Sequence, residues 1–163
     1  MVATIPVNAN MPHHAPARAA VFFSAVFFSL ALFALPRIGE AAMLQFSPVR
    51  GSVKINQDIA VDVTINSEGQ TINGVQATIV FPDDKLQVSS LKKDTSTFNF
   101  WREEPAETSK GKIKFIAGTS IPASSGSLQT LKIVFKAKGT GFAVLGFEDA
   151  AITANDGAGT NVL

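Results

Sequence analysis

From Ile59 onward the chain alternates apolar and polar residues with a period of two, and this pattern most restricts its fold. Ile59, Val61, Val63 and Ile65 alternate with Ala60, Asp62 and Thr64. The stretch INGVQATIVFP repeats it, with Val75, Ala77, Ile79 and Phe81 on one side and Gln76 and Thr78 on the other. Successive side chains of a strand point to opposite faces, so each run predicts a strand with one buried face. Leu131, Ile133, Phe135 and Ala137 alternate with Lys132 and Lys136 in the same way. Shorter strands are predicted at Leu44 and Phe46, at Leu86 and Val88, and at Ile113 and Phe115. Phe142, Val144 and Ile152 mark the last two. Pro82 ends its strand by removing a ladder donor.

Turn residues fill the intervals: Gly51-Ser52, Ser67-Glu68-Gly69, Pro82-Asp83-Asp84, Gly111, Ser124-Ser125-Gly126 and Gly139-Thr140-Gly141. No window of eleven residues in this part carries helical periodicity. Eight or nine short strands with turns between them predict an all-β, antiparallel β-sandwich with jelly-roll topology. Its core is expected to hold Val61, Val63, Ile79, Phe81, Ile133 and Phe135.

The first forty residues follow another rule. Ala19 to Leu35 reads AAVFFSAVFFSLALFAL, seventeen residues without a charge. His13, His14 and Arg18 precede it, and Gly39 and Ala41 offer a small-residue exit. This predicts an N-terminal hydrophobic helix serving as a secretory signal peptide cut after Ala41, or as an uncleaved membrane anchor. Residues 1–41 then form the targeting segment and 42–163 the folded domain, placed outside the cell or on its surface. Membrane contact is expected only through the N-terminal segment.

Composition now excludes several functions. Residues 42–163 contain no His, Cys or Tyr, and twelve basic residues balance twelve acidic ones. Thiol nucleophiles, Cys-ligated zinc and His-dependent triads cannot be built there. A neutral domain is a poor nucleic-acid binder, since the phosphate backbone calls for a cationic field. No cofactor is indicated. A pair of carboxylates suffices for a glycosidase, and Glu103, Glu104 and Glu107 lie beside Trp101, but this run also reads as a solvated acidic loop. We expect no catalysis. Trp101, in STFNFWREEP, is either a plug at one end of the sandwich or an anchor for a ligand. Asn155, Asp156 and Asn161 offer oxygens to Ca²⁺ but few carboxylates, so Gly157-Ala158-Gly159 is read as a turn and no metal site is assigned.

The order of these pieces resembles the cohesin family, non-catalytic jelly-roll modules of bacterial scaffold proteins. FSPVRGSVKINQDIAVDV, INGVQATIVFPDDKLQV, GKIKFIAGT and LQTLKIVFKAKGTGFAVLGFEDAAITANDG carry the resemblance, which runs from about Leu44 to Val162. It implies a flat sheet face that binds a dockerin-like protein partner, within a polysaccharide-degrading or cell-surface assembly. Where dockerin-binding cohesins often carry Asn and Asp, this chain has Gly74 and Gln76, and the acid expected after IKFIA is replaced by Gly118 or Thr119. Gln76, Thr78, Lys114 and Thr119 are the expected partner-binding residues, as outward-pointing positions. A carbohydrate-binding module, with polysaccharide as partner, is the alternative, as is a purely structural surface domain. A single Trp and no Tyr make an aromatic strip for sugar hard to assemble.

Overall fold

The alternating runs become strands because only pairing satisfies their backbone groups while one face of each is buried. The computed structural model describes residues 41–123 and 126–163; the N-terminal hydrophobic segment lies outside them. Eight strands are present among the described residues: β1 (Met43–Ser47), β2 (Asp58–Asn66), β3 (Ile72–Val80), β4 (Leu86–Lys92), β5 (Phe100–Ser109), β6 (Lys112–Ala123), β7 (Ser127–Ala137) and β8 (Gly146–Ala154). They form two four-stranded antiparallel sheets, ordered β1-β2-β7-β4 and β5-β6-β3-β8.

The inward faces meet in one core. Val63, Ile65, Leu131, Ile133 and Phe135 of the first sheet, and Ile79, Ile113, Phe115 and Ile152 of the second, have no exposed surface. Val61 and Phe81 are also buried, so all six residues expected inside are inside. Phe81 and Phe135 tilt against each other with ring centroids 5.1 Å apart, and Phe46 stacks on Phe147 at 4.1 Å. Offset and tilted pairs of this kind add to the burial of apolar area.

Three expectations require correction. Glu103, Glu104 and Glu107 are not in a loop but on strand β5. β5 is an edge strand, largely exposed along its length, so it carries no apolar alternation to betray it; Pro105 and the charges suit an unpaired edge. Phe142 and Val144 lie in no strand: they sit in the connection between β7 and β8, 95% and 78% exposed. That connection passes so close to the β3–β4 turn that a Cβ on Gly139 would stand 2.6 Å from the carbonyl oxygen of Asp84, and Gly141 has φ +101°. Finally, Phe98 is the aromatic buried at the start of β5, while Trp101 lies on the strand, partly buried against the core.

The C-terminal segment folds back on β8. Asp156 accepts hydrogen bonds from the amides of Ala158 (2.9 Å) and Gly159 (3.1 Å) and from the Thr160 hydroxyl. Asn161 then bridges to Thr153, and the Ala42 amide donates to the carbonyl of Val162 at 2.8 Å.

Candidate functional site

The outward face of the β5-β6-β3-β8 sheet has a composition fixed by register. Four rows cross it. Phe100, Gly118, Gly74 and Thr153 form the first, and Glu103, Ile116, Gln76 and Ala151 the second. Ala106, Lys114, Thr78 and Glu148 form the third, followed by Ser109, Lys112, Val80 and Gly146. Residues facing each other in adjacent strands share a side of the sheet, so these sixteen lie on the side away from the core.

Two ion pairs tie neighbouring rows together. Lys114 meets Glu103 at 2.9 Å and Lys112 meets Glu148 at 2.7 Å. The Glu148 carboxylate, by accepting a hydrogen bond from Lys112, holds that ammonium above the ordinary lysine range. Both pairs are about half exposed, so they organise the face more than they stabilise it. The first row is different: the facing glycines Gly74 and Gly118 leave bare backbone beside Phe100, which is 66% exposed.

The sequence-derived candidates divide on this face. Gln76 is exposed at its centre and Lys114 lies beside it in the neighbouring strand, as alternation requires. Thr78 has the outward parity but is only 8% exposed, so it forms the floor of a notch and not part of the rim. Thr119 is a correction. It falls on the parity of Ile113, Phe115 and Ala117, opposite Lys114, at the irregular end of β6. Its hydroxyl donates to the Ile121 carbonyl at 2.9 Å and accepts from the Ile121 amide at 3.2 Å, so it serves the end of its own strand. Phe100, Ile116, Ala151 and Asp149 were not anticipated. Ile116 was readable, being two residues beyond Lys114; the others depend on strand pairing.

Trp101 is partly buried and packs against the core. Its ring leans on Phe115 at 6.2 Å, and the Lys93 ammonium stands 5.5 Å over it. The strongly exposed aromatics are Phe100, on β5, and Phe142, in the connection between β7 and β8. Among the acidic residues of β5, Glu103 is engaged by Lys114 and Glu104 by Lys93. Among the described residues no three His, Cys, Asp or Glu side chains are grouped to hold a metal ion. Asp156 is held below the ordinary aspartate range by the Thr160 hydroxyl and by backbone amides, and its oxygens close the turn that follows β8.

Residues 44–161 match the family model of the cohesin domain. The chain belongs to the cohesin family. Solved cohesins share the fold at low sequence identity. The sixth cohesin of scaffoldin B from Acetivibrio cellulolyticus, solved in complex with a Cel5 dockerin, aligns with a TM-score of 0.61 and 16% identity, covering 76% of this chain and 92% of that one. A cohesin module from a family 33 glycoside hydrolase of Clostridium perfringens gives 0.58 and 13%, over 75% and 87%. A non-cellulosomal cohesin from the archaeon Archaeoglobus fulgidus gives 0.50 and 19%, over 67% and 75%. The chain has no match among curated proteins. As a cohesin domain, it keeps the two-sheet sandwich while presenting Gly74, Gln76, Ile116 and Ala151 at the middle of one face.

Proposed function

We propose that this chain is an exported, non-catalytic binding module that engages a dockerin-type protein partner on the outward face of the β5-β6-β3-β8 sheet. One observation carries the reading: a four-stranded face of a cohesin domain with no other strand of the described chain packed over it. Gln76, Ile116 and Ala151 supply an uncharged centre, and the pairs Lys114–Glu103 and Lys112–Glu148 a polar margin. An uncharged centre with a polar rim is the ordinary anatomy of a protein interface. The relatives leave the wider assembly open, since one belongs to a glycoside hydrolase and another is non-cellulosomal. A polysaccharide-degrading complex or a cell-surface array both accommodate such a module.

Two experiments test this. Export predicts that secreted protein begins at Ala42; N-terminal sequencing that finds Met1 on extracellular material points to the uncleaved anchor instead. For the face, affinity capture from the source culture supplies the partner, and the variant Gln76→Arg/Ile116→Arg is then compared with the parent. Two bulky charges at the uncharged centre should weaken binding about 100-fold or more. The melting temperature should stay close to the parent's, because substitutions on an exposed face away from the core are usually small in effect. A captured partner that binds both proteins equally places the interface elsewhere.

A further inference from the structure

Within the face proposed above as the docking surface, and resting on that reading, we infer that the notch around Thr78 is a receptor for a basic side chain, arginine or lysine, carried by the partner. A cavity of about 230 Å³ opens here, lined by Gln76, Thr78, Lys114, Ile116 and Asp149. Thr78 forms its floor. The residue is 8% exposed, and its hydroxyl makes no hydrogen bond to any described residue. In the free domain that hydroxyl is left to water, and a group entering the notch must replace the hydrogen bond that water makes.

The charges around the notch decide what that something is. Lys114 is matched by Glu103 and Lys112 by Glu148. Asp149 makes no salt bridge among the described residues and acts on Lys112 only from a distance, so these five charges leave one negative in surplus, beside the notch. Its position is unusual: β8 bulges here, the pairing with β3 shifts between Gln76 and Thr78, and Asp149 adopts φ +47°. The bulge also brings the Asp149 carbonyl to the notch, where the Gln76 amide nitrogen donates to it at 3.4 Å. The Gln76 nitrogen is thus turned toward Asp149, leaving its amide oxygen as an acceptor.

Unused capacity in the notch is therefore acceptor capacity: the Asp149 carboxylate, the Gln76 amide oxygen and the Thr78 hydroxyl oxygen. Guanidinium and ammonium groups are donors only and carry the complementary charge. An acidic side chain would face Asp149 and would have to draw Lys114 from Glu103. An apolar one would leave the Thr78 hydroxyl without a partner. A bulge that swings an acid over a neighbouring strand is a common way to aim a side chain at a site.

The test needs no partner at first. The amide spectrum of the ¹⁵N-labelled full chain is followed by NMR during titration with the N-acetyl methylamides of arginine, norleucine and glutamate, each to about 50 mM, a range suited to millimolar affinity. The arginine derivative should shift the signals of Gln76, Thr78, Lys114 and Asp149, and Asp149→Asn should weaken that binding about three- to fivefold. Asparagine tolerates the positive φ, so this change removes charge and keeps the bulge. Equal shifts with norleucine or glutamate, arginine shifts centred elsewhere, or no shifts at all overturn the assignment. Once a partner has been captured, the two readings separate. A partner that binds Asp149→Asn as well as the parent, yet fails on Gln76→Arg/Ile116→Arg, retires the notch and keeps the docking face. A partner indifferent to Gln76→Arg/Ile116→Arg retires the face, and with it the notch as its receptor.

Discussion

Val63→Asp should destabilise the domain by about 5 kcal/mol, among the largest losses a single substitution causes. Val63 has no exposed surface and stands in the middle of β2, opposite Phe46 of β1 and Leu131 of β7. An aspartate there has no cation within the core to meet it, and burying an unpaired charge costs several kcal/mol even after the group neutralises itself. Against a total stability of about 5–15 kcal/mol, a loss of about 5 kcal/mol removes between a third of the margin and all of it. A one-residue slip of β2 offers no escape, because it would turn Val61 and Ile65 outward as well. Circular dichroism during a thermal melt is the measurement; a cooperative transition near the parent's would mean that β2 lies in another register.

Phe135→Ala should cost about 3–5 kcal/mol, the range for deleting a buried aromatic. Phe135 is fully buried, tilts against Phe81, and lines a cavity of about 460 Å³ at the end of the sandwich where Phe46, Ile59, Leu86 and Leu145 also meet. Removing its ring enlarges that space, and the surrounding strands can close it only in part. In a domain of this size the melting temperature should fall by roughly 15–30 °C. Phe142→Ala gives the contrast. That ring is 95% exposed, so its loss should change stability by less than about 0.5 kcal/mol. If the two variants melt alike, the assignment of Phe135 to the core is wrong.

The pair also shows which parts of the fold were legible in the sequence. Phe135 stands in an alternating run with lysines at Lys132 and Lys136, and that pattern gave its strand and its face correctly. Phe142 stands between glycines, and an apolar residue there carries no information about pairing: at Gly139 the backbone passes too close to Asp84 for a side chain, and Gly141 adopts φ +101°. β5 failed for the opposite reason, since an edge strand needs no apolar side to form.

The candidate site divides in the same manner. Gln76 and Lys114 were readable because each lies in a run whose inward residues are apolar. Parity alone already excluded Thr119, which is five residues from Lys114. The depth of Thr78 was not readable, because it depends on neighbours in β6 and β8 that are distant in the chain. Nor was the place of Asp149, since a bulge is a property of two paired strands and neither sequence announces it.

The hydrogen bond from Ala42 to Val162 has a mechanical side. It draws the two ends of the described domain to a single pole of the sandwich. Tension applied through both ends therefore falls first on that contact and on the short return segment stitched to β8 by Asn161. These open one bond at a time, like a zip, whereas the ladders of the central strands would have to shear together. The pole therefore yields first, ahead of the central ladders of either sheet.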